Sequence, residues 1–293
     1  MKNKLLKKWI LKGYHLSLRL TESVFGTVKA KELDSYVRFR RKLHIASPKS
    51  LADKIAWLEY HEITPLKAEC TDKWAVREYI RAKGYGEILV PVYGGVYTSA
   101  DELDVSALPA AFVIKATHGC KMNYICADKK KMNIHEVNAK IADWLSTTYG
   151  IYSFETHYKE IPHRFYIEKY LGDGDEIVDY KFFCYHGEPS FVEICSQRKS
   201  GLKLALYDMS WNRIRCITSK RDHAREFVCP DQFEKMKEIA RHLSKDFSFV
   251  RVDLYDIHGS VYFSELTFTP AACVLSNFKE SFLLSEGKKL TLK

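Results

Sequence analysis

Polar and apolar residues alternate in two neighbouring runs late in the chain, Phe249-Val250-Arg251-Val252-Asp253-Leu254-Tyr255 and Val261-Tyr262-Phe263-Ser264-Glu265-Leu266-Thr267-Phe268. Period-two alternation, with β-branched and aromatic residues at most places, predicts two strands. Between them Asp256-Ile257-His258-Gly259-Ser260 is polar and carries a turn-forming glycine, so the pair reads as a hairpin with a loop of about five residues. A loop symmetric about Gly259 sets Asp253 opposite Glu265 and Arg251 opposite Thr267, with all four on one face. Val252, Leu254, Tyr262 and Leu266 then form the face available for burial.

Helical spacing marks other stretches. Residues 2–20 form a basic amphipathic segment that Gly13 interrupts. Residues 33–69 read as helical, with a start at Ser47-Pro48-Lys49-Ser50, a stripe of Leu51, Ile55, Trp57 and Leu58, and a stop at Pro65. Thr71-Asp72-Lys73 opens a further helix through Ala75, Val76, Tyr79 and Ile80, which Gly84 ends. Strands are predicted at 88–93, 111–115, 123–126, 165–171, 177–185, 190–198 and 202–207, and helices at 133–148 and 231–247. Gly172-Asp173-Gly174-Asp175 reads as a hinge. The pattern is α+β: a helical region over 1–69 and two halves, 70–172 and 173–293, each with antiparallel strands and helices on one face.

Composition narrows the partners. With 293 residues, 46% hydrophobic and 13% aromatic, the chain can build a real core. A net charge of +9 favours nucleic acid, anionic lipid, or acidic small molecules and glycans. The eight cysteines contain no CxxC pair and there is no HExxH, so reduced thiols in a cytoplasmic protein are expected rather than a zinc site. No apolar run is long enough to span a bilayer, and no secretory signal is read at the N-terminus. Residues 2–20 suit either an anionic membrane face or a helix packed on the body with solvated lysines.

The chemistry begins with the hairpin. Two carboxylates held opposite one another repel unless a cation lies between them, and Mg²⁺ with substrate phosphates fills that role. The alternative is an exposed hairpin with a cross-strand Arg251–Glu265 pair. Lys115 ends an apolar strand ahead of His118-Gly119-Cys120-Lys121, a loop able to wrap phosphates. Glu168-Lys169-Tyr170-Leu171 leaves another strand, where free backbone groups can meet a purine edge. Lys181, inside the apolar Asp179-Tyr180-Lys181-Phe182-Phe183, must face water or an anion.

The order of these pieces resembles the ATP-grasp superfamily, and within it the teichuronopeptide-biosynthesis (TupA-like) branch. The likeness runs from about residue 33 to about 275 and is carried by five segments. They are Thr71-Asp72-Lys73-Trp74-Ala75-Val76-Arg77-Glu78-Tyr79, Phe112-Val113-Ile114-Lys115-Ala116-Thr117-His118-Gly119, Asp179–Phe183, Arg251–Tyr255 and Glu265-Leu266-Thr267-Phe268-Thr269-Pro270. The resemblance implies two α+β subdomains gripping ATP between antiparallel sheets, with a helical N-terminal extension. It implies Lys73, Lys115 and Lys181 on nucleotide phosphates under the loop of His118 and Gly119. Glu168, Lys169, Tyr170 and Leu171 would hold adenine and ribose. Asp253, Glu265 and Thr267 would hold Mg²⁺, and Arg251 would stabilise the transferring phosphoryl group, with Arg251, Lys115 and Lys181 as the catalytic set. Superfamily members usually carry Asn at the place of Thr267, Gly at that of Ala271, and more glycine in the phosphate loop.

The function implied is an ATP- and Mg²⁺-dependent carboxylate–amine ligase working through an acyl phosphate. The branch suggests surface-polysaccharide or capsule assembly, in which an amino acid is joined to a uronic acid or similar glycan carboxylate. The competing readings are a kinase acting on a sugar hydroxyl and a non-catalytic basic binding module. No nucleic acid is expected as partner, since the aromatics fall at core spacing and no RNA-binding signature is present.

Overall fold

A computed structural model describes residues 2–172, 177–197, 201–218, 221–223 and 225–293, with side chains from residue 9 onward. The expected hinge, Gly172-Asp173-Gly174-Asp175, lies outside the described residues from Asp173 onward. Val92–Tyr97 (β1), Phe112–Ala116 (β2), Asn123–Cys126 (β3) and Phe165–Lys169 (β4) form an antiparallel sheet in the order β1–β4–β2–β3. Asp179–Tyr185 (β5), Glu188–Ser196 (β6), Lys203–Asp208 (β7), Arg213–Ile214 (β8), Phe249–Ile257 (β9) and Ser260–Thr267 (β10) form a second, in the order β10–β9–β5–β6–β7–β8. The class is α+β, as expected.

The helices are Lys2–Phe25 (α1), Thr27–Phe39 (α2), Leu51–His61 (α3), Pro65–Thr71 (α4), Val76–Ala82 (α5), Ile134–Ser146 (α6), Phe233–Ser244 (α7) and Glu280–Lys289 (α8). The first sheet has α6 on one face, where Val137 and Ile141 meet Phe112, Ile114, Phe165 and Ile167. The larger sheet is covered on both faces, not one. Met236, Ile239 and Leu243 of α7 pack on Phe182, Val192 and Val252, while Leu51 and Ile55 of α3 and Leu283 of α8 pack on Phe183, Phe191 and Leu206. Apolar residues at both odd and even positions of β5 and β6 require this. Gly287 of α8 allows the close approach: a Cβ there would lie 2.2 Å from the Lys49 carbonyl oxygen at the start of α3.

Several local expectations are corrected. Gly13 does not break α1, because a glycine costs only about 1 kcal/mol inside a helix and Tyr14 and Leu18 beyond it are anchored on the body. Pro65 opens α4 instead of closing α3, with Thr64 capping Lys67 N. Asp72 ends α4, and its carboxylate then accepts from Trp74 N and Ala75 N at 2.8 and 3.2 Å, one turn before α5. The strand expected at 88–93 starts only after Pro91 and runs on through a bulge at Gly94 and Gly95.

The hairpin turn is His258-Gly259 alone, both at positive φ, and β9 and β10 pair up to Ile257 and Ser260. From there the register would place Glu265 opposite Val252, on the core side. A bulge at Ser264 shifts it by one residue, so that Glu265 faces Asp253 and Thr267 faces Arg251 as expected. Before the bulge, the register set by the two-residue turn pairs Phe263 with Leu254 and puts it in the core, where Tyr262 was expected; Tyr262 faces Tyr255 instead.

Glu59 ties α3 to the turn at 156–160. Its buried carboxylate accepts from Lys67 Nζ at 2.6 Å, Thr156 N at 2.6 Å and His157 Nδ1 at 2.9 Å. Burial opposes its ionisation, but His157 and Lys67 prevail and hold it at about 2. This contribution to stability is present above the usual carboxylate value and is lost as pH falls from there towards about 2. Glu59→Ala is expected to cost about 3–5 kcal/mol in urea unfolding, because Lys67 and His157 stay buried without it.

After β10 the chain turns through Pro270–Cys273, with Ala271 and Ala272 left-handed at φ 50° and 51°. Alanine pays for that conformation and glycine does not. Ala271 is exposed and packs little, so Ala271→Gly is expected to stabilise the protein by about 0.5–1 kcal/mol, read by urea unfolding.

Candidate active site

Alternation along the strands decides where charge can gather. On the face of the larger sheet that packs α3 and α8, β5 presents Phe183 and Tyr185 at one end and Lys181 and Asp179 at the other. The covered end is apolar, and the other end is a charged row. Glu193 of β6, Lys181 of β5, Asp253 of β9 and Glu265 of β10 lie side by side across four strands.

Within the row Asp253 is completely buried. Arg251 grips it in a fork, Nε on Oδ1 and a terminal nitrogen on Oδ2, each at 2.7 Å. Lys181 Nζ donates to the same Oδ2. The cation the facing carboxylates need is therefore supplied, for Asp253, by two side chains. Burial works against the charge on Arg251 and Lys181, yet Asp253 holds both above their ordinary values. Arg251 also donates to Thr267 Oγ1 at 3.1 Å and lies 3.5 Å from Glu265 Oε1. The cross-strand Arg251–Glu265 pair thus exists, as one edge of a wider network.

Glu265 is held more loosely. Lys73 Nζ stands 3.7 Å from its Oε2 and Thr267 Oγ1 3.4 Å from its Oε1, and its side chain is 28% exposed. Burial would raise its pKa, but Lys73, Lys181, Arg251 and Lys115 together bring it down to about 2. A cation of the larger sheet and one from the turn before α5 therefore stand beside one carboxylate.

The first sheet contributes the opposing wall. Lys115 and Glu168 project from the face away from α6 and form an ion pair, with Tyr166 Oη donating to Glu168 Oε2 at 3.3 Å. Burial opposes the Lys115 ammonium, but Glu168 raises its pKa. Lys73 reaches the row from the turn before α5. Its backbone N donates to Thr117 O at 3.1 Å and its Nζ to Gly119 O at 2.9 Å, so the loop after β2 is braced against the lysine. A Cβ on Gly119 would lie 2.6 Å from Met122 Sδ, so the Met122 side chain would have to shift to admit one.

Not every expected residue joins this group. His118 is buried, bonded through Nε2 to the Trp144 carbonyl at 2.9 Å and stacked on His163. It braces the loop, and among the described residues its ring makes no hydrogen bond to the charged row. The Lys169 side chain is exposed and its N–H is taken by Pro91 O at 2.8 Å. Tyr170 and Leu171 follow as half-buried irregular backbone at the rim.

Two residues escaped the sequence reading. Glu193 is buried in the row, and burial raises its pKa against the pull of Arg251 and Lys181. Its signal was a carboxylate inside an apolar strand, the same signal that marked Lys181. Arg77 is buried too, and burial lowers its pKa while Tyr166 and Glu168 act to raise it. It was hidden among the core positions of α5.

Among the described residues no three His, Cys, Asp or Glu side chains gather into a self-sufficient metal cage. A Mg²⁺ ion that arrives with phosphates needs only one or two carboxylates, and Glu265, with its loose contacts, suits that donor set. Asp253 suits it once Lys181 moves aside.

The family model for TupA-like ATP-grasp proteins matches residues 53–290 of the chain. A search of curated proteins gave no match. Among solved structures, D-alanine–D-alanine ligase from Helicobacter pylori is similar over 84% of this chain and 70% of its own, at 13% identity and a TM-score of 0.45. The Bacillus anthracis D-alanine–D-alanine ligase matches over 80% and 74%, at 16% identity and 0.47. An L-amino acid ligase from Bacillus licheniformis matches over 89% of this chain at 13% identity and 0.44, and the chain spans 60% of that protein's length.

Proposed function

The chain belongs to the TupA-like ATP-grasp family, and from that premise we propose that it is an ATP- and Mg²⁺-dependent carboxylate–amine ligase. The observation that carries this reading is the charged row in which Lys181 and Arg251 hold Asp253 while Arg251 and Lys73, the latter from the turn before α5, stand beside Glu265. Cations gathered on neighbouring carboxylates in this way suit a polyphosphate. In this reading 70–172 and 173–293 are the two jaws and 1–69 the helical extension.

Lys73 and Lys115 hold phosphate oxygens from the first jaw, under the loop that includes Gly119. Lys181 leaves Asp253 for a phosphate oxygen, while Arg251, still bound to Asp253, faces the phosphoryl group in transit. Glu265 and Asp253, with Thr267, are the residues that would hold Mg²⁺, which when bound neutralises phosphate charge. The adenine and ribose lie against Glu168 to Leu171, where the Tyr170 and Leu171 backbone makes no hydrogen bond among the described residues.

The substrate carboxylate oxygen attacks the γ-phosphorus, the bond to the bridging oxygen breaks, and ADP leaves. The amine nitrogen then attacks the acyl carbonyl, phosphate departs, and a proton is lost from nitrogen. For the jaws this is mainly positioning and charge neutralisation. The acceptor we propose is the carboxylate of a uronic acid or similar acidic glycan, joined to an amino acid in surface-polysaccharide or capsule assembly. The net charge of +9 supports an acidic acceptor. A peripheral position in the cytoplasm, on the inner face of an anionic membrane, accords with that setting.

Product chemistry tests the reading. With ATP, Mg²⁺ and a panel of uronic and amino acids, ADP is expected only when carboxylate and amine are both present. Hydroxylamine in place of the amine is expected to give a hydroxamate. ADP formed from a hydroxyl substrate alone would make the protein a kinase instead.

A further inference from the structure

The N-terminal helix leaves the body with an apolar face uncovered. Tyr14 and Leu18 anchor α1, the first by a 2.6 Å hydrogen bond to Asp34 of α2, the second in a cluster with Ala30 and Phe154. Ahead of them, from Trp9 to Gly13, every residue is exposed. Leu11 shares a face with Leu18, two turns on, and yet is uncovered: the first turns of α1 extend past the body. A helical end without packing is marginal in water, so this one calls for a partner.

A second apolar stripe faces away from α2. Trp9, Leu16, Leu20 and Val24 follow at intervals of seven, four and four and are 71%, 59%, 58% and 69% exposed. Lys12 and Arg19 flank the stripe. At the end of α2, next to where α1 departs, Tyr36, Val37 and Phe39 are exposed among Arg38, Arg40 and Lys42. Among the described residues no helix is long and apolar enough to cross a membrane.

Charge selects the occupant. Residues 1–21 contain Lys2, Lys4, Lys7, Lys8, Lys12 and Arg19 and no Asp or Glu. Pairing α1 with a second copy would bring two such segments together, whereas anionic headgroups neutralise them. Trp at the rim and lysines whose stems can lie along lipid suit the same surface. We propose that α1 lies in the plane of an anionic bilayer interface, with the Trp9–Leu16–Leu20–Val24 stripe among the acyl chains and its basic residues on headgroup phosphates. The peripheral position proposed above thereby gains a defined face. That face rests on α1 and not on the cleft, so lipid binding and ATP turnover fail separately.

The test is flotation of the full chain with phosphatidylcholine vesicles, with and without phosphatidylglycerol, alongside sedimentation for oligomeric state. Wild type is expected to float only with the anionic vesicles. Leu16→Glu/Leu20→Glu, which alters exposed positions, and Lys12→Glu/Arg19→Glu are each expected to weaken that binding about tenfold or more, with ATP turnover and oligomeric state unchanged. Deleting residues 2–20 would also remove the anchor Leu18, so point substitutions read the surface more cleanly. Equal flotation by wild type and variants, or none by wild type, overturns the proposal. So does a wild-type dimer that Leu16→Glu/Leu20→Glu dissolves, since a second copy would then be the cover.

Discussion

Asp253→Asn is expected to reduce ATP turnover by about 10³-fold or more and to weaken the fold as well. Asp253 is completely buried and holds both Arg251 and Lys181 through its two oxygens. The amide keeps the shape but removes the charge that both cations face. Breaking a buried ion pair on one side costs about 3–5 kcal/mol, and here two cations lose their partner. Arg251 would lose its fork, and with it the orientation that the reaction needs. ADP release and urea unfolding measured on one preparation read both effects. Wild-type turnover by the variant would remove Asp253 from the site.

Glu265→Gln is expected to lose turnover to a similar degree while losing less stability, about 1–2 kcal/mol. Its contacts to Lys73, Arg251 and Thr267 run from 3.4 to 3.7 Å, and solvent reaches part of the side chain. The contrast between the two variants is informative: in the proposed ligase one carboxylate supports structure and reaction, the other mainly the reaction. The acid response follows from the depressed pKa of Glu265, about 2. Its stabilisation is complete above the usual carboxylate value and drains as pH falls from there towards about 2. Glu265→Gln lacks that part of the acid sensitivity. An equal loss of stability in both variants, or full turnover in Glu265→Gln, would contradict this division of roles.

The residues of the site were legible where local pattern fixes geometry. Period-two alternation was enough to place Arg251 with Asp253 on one face of β9 and Glu265 with Thr267 on one face of β10, and an isolated charge inside an apolar strand was enough to single out Lys181. The pairing of Asp253 with Glu265 was anticipated from a symmetric five-residue loop, but the chain reaches it by another route. It uses a two-residue turn and a bulge at Ser264. A serine in a strand gives no warning of a bulge, because the cause is the fit of β10 to β9.

What stayed hidden depends on partners distant in sequence. His118 looked like part of a phosphate loop, yet its partner is the Trp144 carbonyl, 26 residues on. Glu59 gave no signal because His157 is 98 residues away. Glu193 alternates correctly but was not singled out, since nothing local says which end of that sheet face α3 and α8 leave open. Gly13 looked like a stop, and only the anchoring of Tyr14 and Leu18 outweighs its propensity.

In the proposed ligase the Asp253 and Glu265 carboxylates, brought to one face by the bulge, take a divalent ion together with the phosphates of ATP. A crystal structure with ADP and Mn²⁺ tests it most directly, because manganese is located by its own anomalous signal. The expected result is a Mn²⁺ peak on the Glu265 and Asp253 oxygens, with Lys181 moved from Asp253 onto a phosphate. Nucleotide bound elsewhere, or bound between the sheets with Mn²⁺ away from both carboxylates and Lys181 still on Asp253, would contradict it.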